Sequence, residues 1–249
     1  MNPKPAPKGN GVSAEDPGQR LKALDWPGLV EDLWAHGAAV TPPVLTEAEC
    51  AELATLFEDD ARFRKRIDMA RYRFGKGHYA YFAEPLPPLV AALRGGLYHH
   101  LAPTANDWAE ALRRDDRFPE AFGDYQALCR KERQVSPTPL LLRYGEGDYN
   151  RLHQDLYGPL NFPFQAVCLL SKPVRDFSGG EFMLVSQPPR QQGIGDALAP
   201  GQGALVIFPC RERPFPGKRG WLRATVRHGV SRITRGNRTT LGLIFHDAQ

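Results

Sequence analysis

The sequence predicts an α+β fold: a jelly roll, or double-stranded β-helix, with a helical N-terminal half packed against it. Two observations predict it. After Gln134 the chain turns into short β-rich runs at 140–144, 164–170, 181–185, 204–208, 221–227 and 239–245, separated by Gly and Pro. Many short strands punctuated by turn residues are the pattern of a sandwich or barrel, not of an alternating α/β sheet. Before Gln134, apolar residues recur instead at the spacing of helices.

Taken in order, residues 1–20 are rich in Pro, Gly, Lys and Ser and are expected to form a disordered tail. From Trp26, the spacing of Leu29, Val30, Leu33 and Trp34 predicts a helix that Gly37 stops. Thr46 and Glu49 form the signature of a capping box, and Leu53, Leu56 and Phe57 give the helix behind it an apolar face. Residues 87–132 are helical again, with Leu89, Val90, Leu93, Leu97 and Leu101 on one stripe. His99 and His100 diverge by about 100° on such a helix and are read as surface or packing residues. The expected organisation is therefore a tail (1–20), a mainly helical part (21–135) and a jelly-roll core (136–249).

Composition sets wide bounds. With 42% hydrophobic and 24% charged residues, the 249-residue chain is an ordinary globular protein. It has no apolar run of membrane-spanning length and no signal-peptide pattern, so a cytoplasmic monomer is expected. Cys50, Cys129, Cys168 and Cys210 are too scattered for a metal knot and are read as buried thiols. A net charge of +4 permits an anionic partner without demanding one.

The chemistry concentrates in residues 139–155, PLLLRYGEGDYNRLHQD. His153 and Asp155 stand two positions apart, so in an extended or turn-like backbone both side chains leave on one side. A two-histidine, one-carboxylate iron(II) centre needs that pair and one distant histidine, with the opposite face open. His228 is the distant candidate. Ten residues on, Arg238 is a candidate partner for the far carboxylate of 2-oxoglutarate, with Thr240 on the same strand face and Tyr144 as a further hydroxyl donor. On a flat hairpin turning at Gly236-Asn237, Arg238 would sit roughly 23 Å from His228, at about 3.3 Å per residue. The chain must therefore cross between facing sheets; Arg232 and Arg235 are the reserve cations. His246-Asp247 is set aside because adjacent strand residues face opposite ways, and Cys210 because nothing sets a base beside it.

The segments PTPLLLRYGEGDYNRLHQDLYG, FPFQ, SGGEFMLV, RHGVSRI and RTTLGLIFHDA closely resemble a bacterial family of iron(II)/2-oxoglutarate oxygenases, and FRKRIDMARYRFGKGHYAYF resembles that family's N-terminal half. The resemblance spans nearly everything past the tail. It implies Fe(II), 2-oxoglutarate and O2 as cofactors. The resembled family is placed beside AlkB-type enzymes as a predicted nucleic-acid oxygenase acting on alkylated DNA, and its core motifs also look like those of prolyl 4-hydroxylases. The chain departs from the AlkB pattern in one respect: six residues after Arg238, where that pattern has a second arginine, stands Ile244.

Two basic stretches bear on the substrate. Residues 61–82 hold Arg62, Arg64, Lys65, Arg66, Arg71, Arg73 and Lys76 against Asp68 alone, with six aromatics interleaved. Residues 211–238 hold nine cations against Glu212. Each reads either as a DNA-binding surface, in which cations take phosphates and rings stack on bases, or as a solvated face over inward aromatics. The nucleic-acid reading makes the enzyme an oxidative demethylase of alkylated DNA, acting in repair. The alternatives are a protein or amino-acid hydroxylase using a groove near Tyr149, Asn150, Arg151 and Gln165, and a non-catalytic jelly-roll binding protein.

Overall fold

A computed structural model describes residues 16–249. Helix α1 (Pro17–Lys22) begins inside the span expected to be a tail: Asp16 caps it, Leu21 is fully buried, and Arg20 pairs with Glu49 at 2.6 Å. One apolar side chain and one ion pair fix the chain from there on; the rest of that tail, 1–15, lies outside the described residues. Helix α2 (Trp26–His36) ends at Gly37, which caps it at φ +81°, a conformation glycine adopts without strain. Helix α3 (Glu47–Thr55) opens with the expected capping box: Thr46 Oγ1 accepts from the Glu49 amide at 3.2 Å, while the Glu49 carboxylate accepts from the Thr46 amide at 2.7 Å. Helices α4 (Pro88–Ala111) and α5 (Phe122–Lys131) divide the third helical region.

The strands, in chain order, are β1 (Ala39–Pro43), β2 (Phe63–Asp68), β3 (Gly75–Lys76), β4 (His78–Phe82), β5 (Leu140–Tyr144), β6 (Tyr149–His153), β7 (Phe164–Leu169) and β8 (Phe177–Gly179). They continue as β9 (Phe182–Gln187), β10 (Ile194–Leu198), β11 (Ala204–Pro209), β12 (Glu212–Gly217), β13 (Gly220–Val230), β14 (Ile233–Gly236) and β15 (Arg238–Ile244). A large sheet has the order β1-β11-β7-β15-β5-β4-β2; a smaller one runs β10-β9-β13-β6-β3, with β12 folded onto β13; β8 and β14 form a separate ribbon. Neighbours are antiparallel, and the chain passes repeatedly between the two layers, as in a jelly roll. Phe182 and Val226 of the small sheet pack on Val206 and Phe208 of the large one.

The outer face of the large sheet is covered by helices. Leu93, Leu97 and Leu101 of α4, all fully buried, join one core with Leu141, Leu205, Leu241 and Leu243. Strand β15 is thus buried on both sides, which is why it reads RTTLGLI without polar alternation. Its odd members face the helices; Arg238, Thr240, Gly242 and Ile244 line the space between the sheets.

The part expected to be mainly helical over 21–135 also contributes four strands, β1 to β4. Their signal is weak because β1 and β2 are edges of the large sheet. An edge strand is protected by charge rather than by alternation, and Arg64, Lys65 and Arg66 supply that charge on β2. Among the described residues no helix is long and apolar enough to cross a membrane, and the four cysteines are buried and unpaired.

Candidate active site

Register brings the two predicted histidines together. Strands β6 and β13 pair with His153 directly opposite His228, so the imidazoles stand side by side with centroids 4.2 Å apart. Asp155 follows in the turn leaving β6, its Oδ2 3.2 Å from His228 Nε2 and its Oδ1 3.7 Å from His153 Nε2. One donor atom from each of the three lies within 4.8 Å of the others. The Nδ1 of His153 sits 2.7 Å from the Arg151 carbonyl oxygen; a carbonyl only accepts, so Nδ1 carries the hydrogen and Nε2 keeps the lone pair that a metal takes. The turn itself is stapled by the middle residue of the triplet: Gln154 Nε2 donates to the carbonyls of Arg211 and Val226 at 2.8 and 2.9 Å.

Protonation suits ligation. Burial alone raises Asp155, but the hydrogen bond and charge of His228, with His153 and the Tyr157 hydroxyl, hold the carboxyl well below its usual range. Burial pushes the His228 pKa down, against the hydrogen bond and charge of Asp155, which favour its proton. Two nitrogen lone pairs and one carboxylate on one side of an open cavity are a donor set for iron(II).

That cavity, about 260 Å³, lies between the sheets. Arg238, which opens β15 opposite Tyr144 of β5, also lines it. Its side chain is 2% exposed, yet no carboxylate pairs with it, and its Nε and Nη1 have no partner among the described residues. Burial lowers its pKa to about 10. A buried cation left this way is completed by an anionic ligand. Thr240 and Tyr144 line the same space, the Tyr144 hydroxyl accepting from Asn150 Nδ2 at 3.3 Å. A diacid that chelates a metal through one end and meets a cation at the other fits this arrangement, as 2-oxoglutarate does. The required crossing is present: the chain leaves the small sheet at Val230, passes through β14, and enters the large sheet at Arg238.

Residues 77–248 match the model of a family described as an oxygenase catalysing oxidative methylation of damaged DNA. The chain belongs to this oxygenase family. Its relatives include uncharacterised proteins from two strains of Mycobacterium tuberculosis, each 46% identical over 167 residues, or 67% of this chain and 72% of the relative. Its fold resembles that of a Pseudomonas putida prolyl-4-hydroxylase (TM-score 0.52, 17% identity, 87% of this chain and 96% of that one). It also resembles a 2-oxoglutarate/Fe(II) oxygenase-family oxidoreductase from Burkholderia pseudomallei (0.51, 15%, 96% and 95%). A third likeness is to a Trichoplax adhaerens prolyl hydroxylase in complex with a hypoxia-inducible-factor peptide fragment (0.57, 12%, 92% and 91%). At these identities the likeness is one of fold. Family, fold and donor set agree: the protein is a dioxygenase whose cofactors are Fe(II), 2-oxoglutarate and O2.

The other predicted site residues of this oxygenase divide. Gln165 and Asn150 line the cavity, and Gln165 is 3% exposed with an unpartnered Nε2. Tyr149, Arg151, Arg71 and Arg73 lie outside the lining: the Tyr149 ring sits under the Arg232 guanidinium, and the three arginines are exposed. The reserve arginines are engaged elsewhere, Arg232 with the Gly147 carbonyl and Arg235 with that of Val174. His246 and Asp247 serve packing, since Asp247 pairs with Arg94 at 2.7 Å and His246 Nδ1 accepts from the Phe162 amide. His100 stacks on Trp26.

Much of both basic stretches is structural. Arg64 donates to the Pro137 carbonyl and lies over Tyr81, Arg66 pairs with Asp60, and Phe63 stacks on Phe82. Arg213 is buried between Ser186 and the Trp34 carbonyl, while Glu212 gathers Arg114, Arg211 and Arg223. Sequence reasoning missed the support of the carboxylate: Tyr157 donates to Asp155 Oδ1 at 2.9 Å, and Tyr81 donates to Tyr157 at 3.0 Å. Tyr157 had a local signal, two positions past Asp155; Tyr81, seventy-six residues from Tyr157, had none.

Proposed function

We propose that this oxygenase dealkylates nucleobases of damaged DNA by oxidation. The observation that carries the reading is the wall of the cavity beside the triad. Phe74, Tyr79, Tyr81, Tyr157, Phe182 and Phe208 surround the space next to His153, Asp155 and His228, and a flat base drawn out of its strand fits such walls. The description of the matching family points the same way.

In this reading His153, Asp155 and His228 hold Fe(II). Arg238 takes the far carboxylate of 2-oxoglutarate by charge-assisted hydrogen bonds, with the hydroxyls of Thr240 and Tyr144 beside it. With O2, the iron and 2-oxoglutarate supply the oxidising power that hydroxylates a C–H bond, giving succinate and CO2. The chain's own work is positioning. Gln154 fixes the turn, Tyr157 fixes the carboxylate, and His153 Nδ1–H keeps the imidazole oriented through the Arg151 carbonyl. Gln165 stands directly opposite Ile244 in register, so its free amide is the polar group at the apolar position where AlkB-type enzymes carry an arginine. An amide there reads the hydrogen-bonding edge of a base. A hydroxymethyl group on a base nitrogen is a hemiaminal, which expels formaldehyde and restores the base.

The test follows succinate and formaldehyde together, with Fe(II), ascorbate and N-methylated oligonucleotides. Stoichiometric, DNA-dependent formaldehyde supports dealkylation. Succinate released only with prolyl peptides would move the substrate to protein, and no succinate under any condition would leave a binding protein.

A further inference from the structure

Two aromatic rings stand in water at the mouth of the cavity. Tyr72 is 54% exposed and Phe74 47%, and the rings stack at 5.6 Å with their planes 18° apart. Phe74 also lines the cavity, so the stacked pair runs from its rim outward.

The loop that carries them is pinned. Met69 is fully buried, its amide donates to the Gly77 carbonyl at 3.0 Å, and the Phe74 amide donates to the Met69 carbonyl at 3.1 Å. The Phe74 carbonyl accepts from the Arg151 amide at 2.9 Å, which ties the ring to β6 two residues before His153. Gly75 permits this approach: a Cβ there would lie 2.3 Å from the Tyr149 carbonyl oxygen. Around the rings Arg71, Arg73 and Arg151 are exposed. Arg71 has a loose partner in Asp68 at 3.6 Å, while Arg73 and Arg151 have no ion pair among the described residues. Other aromatics of this basic stretch, such as Phe63 and Phe82, are packed away. Tyr72 and Phe74 are not, and an exposed apolar patch of this kind is characteristic of an interaction site.

We propose that Tyr72 and Phe74 form a stacking ledge for the base next to the one held in the cavity, with Arg73 and Arg151 on the flanking phosphates, and that the ledge selects single-stranded nucleic acid. This rests on the nucleic-acid reading of the site. The chemistry argues for that occupant. Stacked rings offer a flat face to any base, and cations beside them meet the backbone. In a duplex the neighbouring base is held by its pair and by stacking on its far side, so laying it on a ring at the cavity mouth costs a second unpairing and unstacking that a single strand does not pay. A preset ledge lowers the entropic cost of ordering a flexible strand.

The experiment measures fluorescence anisotropy of the full chain, loaded with Mn(II) and 2-oxoglutarate, against a labelled oligonucleotide carrying one N-methylated base, single-stranded and as a duplex. Wild type is expected to bind the single strand about 10-fold or more tighter than the duplex. Tyr72→Ala/Phe74→Ala loses about 10-fold on the single strand and little on the duplex, and Tyr72→Phe keeps wild-type affinity. Arg73→Asn/Arg151→Gln lowers the salt slope of single-strand binding by about 1.4, at about 0.7 per phosphate contact. Melting of each variant with 2-oxoglutarate present checks that the fold and pocket persist. Tight single-strand binding that the double alanine variant retains would overturn the ledge and leave the nucleic-acid reading standing. No binding of wild type to any oligonucleotide would sink that reading and the ledge with it. Binding of a proline-rich peptide, lost in the alanine variant, would reassign the ledge to protein.

Discussion

Arg238 is a cation in the wrong place until a ligand arrives. Its burial without an anion costs stability, and a bound carboxylate restores the balance. Replacing it with Met should therefore leave the ligand-free melting temperature unchanged or higher, while abolishing the rise that 2-oxoglutarate gives the wild type. Arg238→Met should weaken 2-oxoglutarate binding on the order of 100-fold, read by calorimetry with Mn(II) in the site. Tyr157, besides lining the cavity, supports Asp155. Its hydroxyl occupies Oδ1, leaving Oδ2 toward His228. Tyr157→Phe should weaken metal affinity roughly 10-fold and change the visible spectrum of the Co(II)-loaded protein as the freed oxygen joins the metal. An unchanged spectrum and affinity would reduce Tyr157 to packing.

The elements that matter most are β6, β13 and β15. The first two bring His153 and His228 together by register, and Gly229 lets them meet: a Cβ there would lie 2.7 Å from the Asn150 carbonyl oxygen. Gly229→Ala should push β6 away from β13 and cost metal affinity more than helix content, measured by metal titration beside far-ultraviolet circular dichroism. The third strand explains why much of the site was legible. His228, Arg238 and Thr240 lie on or next to the runs 221–227 and 239–245, whose strand character is plain in the sequence, whereas His153 and Asp155 were picked out by their two-residue spacing and β6 itself was not among the expected strands. The strands of the N-terminal half were not legible, because β2 and β3 are polar edges and because β1, β3 and β4 find partners, β11, β6 and β5, far along the chain. Tyr81 was hidden for the same reason: only the pairing of β4 with β5 brings it to Tyr157. The basic stretches were only partly legible, since Arg64 and Arg66 also bond to the Pro137 and Phe57 carbonyls and Arg213 is buried, which charge counting does not detect.

At the scale of the whole molecule, helix α4 is bolted to the end of β15. Arg94 donates to the carbonyls of Ile244 and Phe245 and to Asp247, beside the fully buried His246. Burial first, and the charge of Arg94 second, push the His246 pKa down to about 3, against about 6.5 in an unfolded chain. The unfolded state then binds more protons, so this contribution is fully present above about pH 6.5 and is lost as the pH falls toward 3. Urea unfolding should show the protein weakening on acidification. His246→Asn, which keeps an acceptor for the Phe162 amide, should flatten the slope by on the order of 1 kcal/mol per pH unit.

The pairing of β4 with β5 and of β1 with β11 also limits how the gene can be cut. A fragment beginning at residue 136 would carry His153, Asp155, His228 and Arg238, yet it would expose three raw sheet margins, along Leu140–Tyr144, Ala204–Pro209 and Tyr149–His153. Such margins recruit other strands. The triad is therefore not a portable cassette: grafting or truncation at that junction trades an enzyme for an aggregate, and a functional swap between homologues has to move both halves together.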